Sequence, residues 1–361
     1  MKVTTTRTVL SCRNIWKVYA EERTPYFQQE VACADASRLS TRMRADGAIP
    51  AAVDVSFDVQ AGEIFVIMGL SGSGKSTVVR CLSRLVEPTY GSIELDQENL
   101  LEKDERQLID IRRHKIGMVF QNFGLMPHLS VFDNIAFPLS LQGVAKTEQI
   151  ERVRRVIELV GLEGREAAYP QQLSGGQQQR VGIARSLAVE PDLWLLDEPF
   201  SALDPLIRRQ MQDEFLRIQK TLKKSIVFIT HDFLEALKIA DRMMIMRDGM
   251  VIQVGTPAEL IVNPADDYVA EFSNDVPMVR VLTAGDVLDA NHTASADMVS
   301  RDWHSSVEDL LPLLATHKEG IAVTRQEELI GVVTASSVIS ALAHQDSTAA
   351  CASTTTSETT P

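Results

Sequence analysis

The chain has 361 residues, 45% of them hydrophobic and 24% charged, with a formal net charge of −13; this suits a globular protein with a full core, one large domain and a smaller one. The negative balance argues against a protein that coats nucleic acid over a broad surface. No apolar run approaches the roughly 20 residues of a membrane-spanning helix, and residues 1–7 lack the apolar core of a signal peptide. Cys12, Cys33, Cys81 and Cys351 are scattered without a Cys-x-x-Cys pair and read as reduced thiols of a cytoplasmic protein. The dispersed histidines give no expectation of a structural metal site.

In chain order, residues 9–19 read as a first strand with an aromatic end. Residues 20–50 are mostly polar or small and look inserted, with a short helix possible over 31–43. Val53 to Val59 alternates apolar and polar, a half-buried strand. After a turn at 60–63, the apolar run Ile64 to Met68 leads into Gly69-Leu70-Ser71-Gly72-Ser73-Gly74-Lys75-Ser76-Thr77 and then Val78-Val79-Arg80-Cys81-Leu82. Strand, glycine-rich turn and helix in that order form the context of a phosphate-binding loop. The glycines let backbone N–H groups turn inward around phosphate oxygens at the positive end of a helix. Lys75 adds a point charge, and the Ser76 hydroxyl is placed to ligate Mg²⁺.

Residues 87–91 break the pattern; 92–96 and 116–120 are strands, the latter ending at Gln121. From 121 to 172 the chain reads as mainly helical, with helix spacing over 131–141 and 150–160 and breaks at Gly143, Gly161, Gly164 and Pro170. Leu173 to Arg180 opens a helix that runs through Ala188. Leu193 to Glu198 is an apolar strand ending in two carboxylates, and Ser201-Ala202-Leu203-Asp204 enters a long helix to about Lys220. Ser225 to Thr230 is a buried strand capped by His231-Asp232, and 242–246 with 250–254 are the last strands of this domain. Buried strands alternating with helices imply an α/β core with a largely parallel sheet.

A carboxylate pair, a lone His or a Gly-Gly-Gln run is each usually structural. Here they occur in one order, each at a strand end or helix start, and over residues 8–275 the chain resembles the ATP-binding-cassette ATPases. The resemblance implies a P-loop NTPase cassette with a helical subdomain at about 121–190, binding ATP and Mg²⁺. It assigns Gly69, Ser71, Gly72, Ser73, Gly74, Lys75, Ser76 and Thr77 to the Walker A loop, and Asp197, with Ser76 and Gln121, to the metal. Glu198 is expected to polarise the attacking water, His231 to contact the γ-phosphate, and Gln121 to lie near Mg²⁺ and the transmembrane partner. Ser174, Gly175, Gly176 and Gln177 match the signature loop, which in this family binds ATP held by the other subunit, and Asp204 matches the loop joining the two subunits' sites. Tyr19 resembles the aromatic residue that stacks on adenine; Trp16 competes for that role. A homodimer with ATP between its subunits follows.

Glu63 to Ser71, Leu125-Met126-Pro127-His128, Phe200 to Arg208, Asn263 to Val269 and the insert after Tyr19 are similar to the glycine betaine/proline betaine/choline importers. This implies an ATPase peripheral to the cytoplasmic face of the inner membrane. Its partners would be a permease, whose coupling helix fits a groove shaped by 121–143, and, indirectly, a periplasmic or lipid-anchored substrate-binding protein, with no nucleic acid. The same machine carrying histidine, proline or another small amine is the main alternative. A non-transporting cassette is disfavoured by the single cassette and the acidic balance. A pure nucleotide sensor has no need of Glu198.

From 279 to 345 the order helix (307–316), strand (320–324), turn (325–328), strand (329–333) and helix (335–343) resembles one α+β CBS-type motif, regulatory or dimerising. Gly331 and Thr334 match its Gly-x-x-Thr-x-x-Asp pattern, but Ser337 stands at the Asp position, which counts against adenosine there. Residues 346–361 are Thr/Ser-rich and expected to be disordered.

Overall fold

The computed structural model describes residues 7–20, 27, 35–273, 279, 282–289, 292, 298–325 and 328–342. It forms two compact units that divide at Thr256/Pro257. The expected tail at 346–361 lies outside the described residues, as do residues 21–26 and 28–34 of the segment 20–50.

The first unit holds two sheets. One is antiparallel, with β1 (Thr8–Tyr19) between β2 (Ile49–Gln60) and β4 (Tyr90–Leu95), and the short β5 (Glu98–Asn99) at its edge. The other has six strands in the order β10 (Met250–Gly255), β9 (Arg242–Arg247), β3 (Ile64–Met68), β8 (Ser225–Thr230), β7 (Leu193–Asp197) and β6 (Ile116–Val119). All its neighbours are parallel except the β9/β10 hairpin. Every residue of β3, β7 and β8 is buried, which explains their unbroken apolar runs: a central parallel strand is covered on both faces. The sequence pattern anticipates the parallel sheet but not the separation of β1, β2 and β4 into a second one. Phe57 of β2 stacks on Phe65 of β3 at 5.0 Å and 5°, so the two sheets share one core.

Two of the first three helices differ from the sequence pattern: the first is shifted and the third leaves no clear apolar signal. In the insert, α1 spans Ala36–Ala45, with Asp35 accepting from the Ser37 amide. After the phosphate loop comes α2 (Lys75–Leu82). Next, α3 (Glu105–His114) went unread although its capping box, Asp104 with Gln107, and its basic last turn are sequence signals; only Leu108 and Ile111 are buried, too thin an apolar stripe to stand out. The helical subdomain comprises α4 (Val131–Leu141), α5 (Lys146–Leu159) and α6 (Gly175–Leu187). Then α7 (Pro205–Leu222) and α8 (Phe233–Ile239) flank β8. Phe200, Phe215 and Phe228 pack ring to ring at about 6 Å, all fully buried, and anchor the loop before α7.

Glu98 of β5 receives Lys103 at 2.8 Å and Lys115 at 2.9 Å, and these two ammonium groups hold its carboxyl at about 2. Between that value and the ordinary 4.5, the unfolded chain binds more protons than the folded one, so the contribution is complete above 4.5 and lost as pH falls toward 2. Urea midpoints of the parent and Glu98→Gln are therefore expected to differ slightly at neutral pH and to converge between pH 4.5 and about 2. A gap unchanged across that window would remove the ion pairs as its cause.

In the second unit, α9 (Pro257–Val262) and α10 (Asp267–Ser273) precede a three-stranded sheet ordered β11 (Ser300–Asp302), β12 (Ile321–Arg325), β13 (Glu328–Val333). With α11 (Val307–Thr316) and α12 (335–342) it forms its own core around Leu282, Val307, Leu310, Ile321, Val323, Val333 and Val338. The all-polar, exposed β11 carries no alternation to read; it exists through parallel pairing with β12. Thr334 and Ser337 cap α12: the Ser337 amide donates to Thr334 Oγ1 (3.1 Å), and the Thr334 amide to Ser337 Oγ (3.1 Å). Ser337 Oγ also donates to the Val287 carbonyl (2.7 Å), and Thr334 Oγ1 donates to Asp289 Oδ2 (2.8 Å). Both hydroxyls are thus engaged internally. Among the described residues, no helix is long and apolar enough to cross a membrane.

Candidate nucleotide site and the family

Strands β3, β8, β7 and β6 lie side by side and run parallel, so their carboxyl ends open at one edge of the sheet. At the general strand spacing of about 4.8 Å, four ends span roughly 15 Å. They deliver, in that order, the loop 69–77, His231, the pair Asp197-Glu198, and Gln121. Residues separated by 160 positions in sequence meet because the sheet order, not the chain order, sets their spacing. Most of the loop, with Ala51, Gln121, Glu198 and His231, lines a cleft of about 500 Å³, while Asp197 lies beneath it, 5% exposed. A larger open depression of about 710 Å³ lies by Ile64, at the other end of β3, and contains none of the motif residues.

Lys75 is 4% exposed. Its ammonium donates to the carbonyls of Gly69 (2.8 Å) and Leu70 (2.9 Å), with Ser73 Oγ at 3.4 Å. Burial lowers its pKa from the usual lysine value, opposed by the charges of Glu198 and Asp197. Such a cation, held by neutral acceptors, gains an anionic partner when phosphate oxygens enter. Gly74 sits at φ +97°, and a Cβ there would lie 2.2 Å from the Ala51 carbonyl oxygen, so only glycine fits the turn.

Ser76 Oγ donates to Asp197 Oδ1 at 3.0 Å. Burial raises the Asp197 pKa, and the Ser76 hydrogen bond works against that rise. A hydroxyl, a carboxylate and the Gln121 amide form an all-oxygen donor set suited to a hard cation such as Mg²⁺. Among the described residues no group of three or more His, Cys, Asp or Glu could hold a metal alone. An ion here would depend on Ser76, Asp197 and the oxygens of nucleotide and water, as is usual for Mg²⁺.

Glu198 follows β7 with φ +46°, a conformation that costs a non-glycine residue about 1 kcal/mol. The Glu198 amide donates to the Ile229 carbonyl (3.1 Å), and the Glu198 carbonyl accepts from Ser201 Oγ (2.9 Å). Its Oε2 accepts from Gln121 Nε2 at 3.2 Å and pairs with His231 Nδ1 at 3.1 Å. One carboxylate oxygen thus gathers the ends of β6, β7 and β8.

The signature residues lie outside this cleft. Ser174 caps α6 by accepting from the Gln177 amide (3.3 Å), and the Gln177 side chain returns to the Ser174 amide (3.0 Å). Ser174 and Gly175 are exposed, while Gly176 packs so closely on α7 that a Cβ would fall 2.8 Å from Ile207 Cγ2. Asp204 caps α7, accepting from the Leu206 and Ile207 amides at 3.1 Å. Tyr19 ends β1, 45% exposed, with Lys17 Nζ 4.8 Å from its ring centre. Trp16 is 1% exposed and its ring meets Phe27 edge-on at 5.7 Å, so of these two rings Tyr19 is the exposed one, though it does not line the cleft.

Two positions carry more than their sequence signals. Arg208 reaches from α7 to the Leu203 carbonyl (3.2 Å) and to Asp232 (3.4 Å), bracing the loop before Asp204 and the turn after His231 together. Arg185 of α6 donates to the carbonyls of Gly124 (2.6 Å) and Phe123 (3.1 Å), tying the chain after Gln121 to the signature helix. Arg208 ends the stretch Phe200–Arg208 and Arg185 lies in the helix after the signature loop, but their partners are set by the fold.

A family model described as "ABC transporter" matches residues 52–201. The trimethylamine N-oxide transport system ATP-binding protein TmoW of Ruegeria pomeroyi is 51% identical over 326 residues, 90% of this chain and 94% of its own length. The chain belongs to the ATP-binding subunits of ABC transporters. The glycine betaine transport ATP-binding protein OpuAA of Bacillus subtilis is 47% identical, over 81% of this chain and 69% of its own. Among solved structures, the dimeric post-hydrolysis state of an ATP-binding cassette with ADP and Pi aligns with a TM-score of 0.57 and 32% identity, covering 69% of this chain and 98% of that one. The cbiO1 cassette from Clostridium perfringens, part of an ABC transporter complex, aligns at 0.59 and 25% identity, over 72% and 92%. This ABC subunit is therefore an ATPase coupled to transport, and a membrane-embedded partner is part of its function. Phe120, Phe137 and Leu141, each at least 37% exposed, lie in or beside the stretch 121–143 expected to meet that partner.

Proposed function

We propose that this chain powers import of a small methylated ammonium or amine-oxide osmolyte, of the glycine betaine, choline or trimethylamine N-oxide type, from the cytoplasmic face of the membrane. The observation that carries the cargo class is the 51% identity to a trimethylamine N-oxide system over 90% of the chain, with the betaine system close behind. The solute itself is recognised elsewhere, by a binding protein suited to a cation or a dipolar N-oxide.

In this reading two copies close over two nucleotides. Lys75 and the loop amides hold the β- and γ-phosphates, and Tyr19 stacks on adenine. Ser174, Gly175, Gly176 and Gln177 of the facing copy complete the γ-phosphate cage, with Asp204 at the seam. The exposed start of α6 suits this role, because a helix N-terminus presents backbone amides to an anion. Glu198 accepts a proton from the attacking water, with Gln121 and His231 fixing the carboxylate and His231 meeting the γ-phosphate. Ser76, Asp197 and Gln121 would hold Mg²⁺, which would supply charge neutralisation of the phosphate oxygens. Loss of the γ-phosphate removes what joins the copies and resets the permease.

Uptake of labelled trimethylamine N-oxide, glycine betaine, choline, histidine and proline, with and without the chain, tests the cargo. Loss confined to the methylated amines, restored by the parent chain but not by Glu198→Gln, is expected. Loss of histidine or proline uptake alone would replace this cargo assignment.

A further inference from the structure

The segment between β1 and β2 has no part in the chemistry above, yet its helix packs beside a turn that touches the phosphate loop. Leu39 and Met43 of α1, 5% and 0% exposed, pack with Trp16, Val18 and Val53 in a small core that also takes up Met250. One residue before Met250 is the β9/β10 turn, Asp248-Gly249, at φ +53° and +85°. Arg44 Nη2 of α1 donates to the Asp248 carbonyl at 2.8 Å. The Gly249 amide donates to the Ser73 carbonyl at 3.1 Å, and the Gly249 carbonyl accepts from the Val53 amide at 2.8 Å. A Cβ at Gly249 would lie 3.1 Å from the Pro50 carbonyl oxygen, and one at Gly74 would lie 3.4 Å from Gly249 Cα. The turn is thus wedged between the insert and the loop, touching Ser73 on one side and held by Arg44 on the other.

We propose that α1 is a positioning element for the phosphate loop: through Arg44 and the small core on which Met250 packs it holds Asp248-Gly249 against Ser73, and so sets the loop for phosphate. The proposal rests on the reading of the cleft as the ATP site. A glycine-rich loop has little conformational restraint of its own, and binding is tightest when its donors are fixed before the ligand arrives. Gly249 supplies that fixation by occupying the Ser73 carbonyl. Glu198, His231 and Gln121 sit on the ends of β7, β8 and β6, away from this turn. The clamp is therefore expected to govern ATP affinity and to leave the chemical step alone.

The test compares the parent, Arg44→Ala and Arg44→Lys as full-length chains for equilibrium ATP binding, and in the assembled transporter for ATPase kinetics. Losing one charge-assisted hydrogen bond predicts a roughly three- to tenfold rise in the ATP dissociation constant and in KM for Arg44→Ala, with kcat within about twofold. Arg44→Lys, which can still donate to the Asp248 carbonyl, is expected to recover most of the affinity. Hydrogen–deuterium exchange without nucleotide should quicken over 69–75 and 247–250 in Arg44→Ala and stay unchanged over 225–230. Unchanged binding and KM in Arg44→Ala, or a fall in kcat at constant KM, would overturn the proposal. Should the parent bind no ATP, the reading of the cleft fails instead; the exchange experiment still decides the clamp, and equal exchange in parent and variant would sink it.

Discussion

Glu198→Gln is expected to bind ATP as the parent does and to lose at least about a hundredfold in turnover, the range associated with removing a general base. The amide matches the carboxylate in shape and can still accept from Gln121, which now stands 3.2 Å from Oε2. It cannot take a proton, and it loses the charge that pairs with His231 at 3.1 Å. The backbone at φ +46° is fixed by its neighbours, the Ile229 carbonyl and the Ser201 hydroxyl, so the substitution leaves the turn in place. With ATP bound and uncleaved, the closed pair of subunits should accumulate. Nucleotide binding, phosphate release and size-exclusion chromatography with ATP together check this. Sustained phosphate release by the variant would remove Glu198 from its role.

Ser174→Arg is expected to abolish ATP-driven pairing and lower turnover by roughly a hundredfold or more, the scale of losing one donor to a developing anion, while the single chain still binds ATP in the cleft of Lys75. The residue is exposed and lies outside that cleft, so its effect on binding within one chain should be small. The substitution also removes the cap of α6, where Ser174 Oγ meets the Gln177 amide, at a cost of about 1 kcal/mol. Ser174→Asp separates the two effects: it keeps a capping oxygen but sets a negative charge where the partner's γ-phosphate belongs. Failure of both variants to pair with ATP, with thermal melting retained by Ser174→Asp, is the expected pattern. Normal pairing and transport by Ser174→Asp would contradict a phosphate contact at this position.

Much of the site was legible because each group sits at a transition the sequence marks. The loop 69–77 follows an apolar run and opens a helix; Asp197-Glu198 and His231 follow runs that are buried on both faces. Capping explains part of this legibility, since Ser174 and Asp204 start helices where their side chains serve orphan amides as well. Where the signal was weak, the reading failed for physical reasons. The helix Glu105–His114 buries two side chains only, and the strand Ser300–Asp302 buries none. Trp16 and Tyr19 are both aromatic residues at the end of one strand, and only burial distinguishes them.

By itself, then, the order of motifs determined the α/β cassette and the phosphate loop and singled out the groups proposed to react, because these depend on local chemistry at strand ends. The strand order β3, β8, β7, β6 decided that Gln121, Glu198 and His231 share one carboxylate oxygen. Packing between distant segments decided the rest: Arg208 against Leu203 and Asp232, Arg185 against Gly124, and the insert's Arg44 against the turn that supports Ser73. A side chain that acts by bracing someone else's backbone has no local pattern, and only the folded chain shows what it holds.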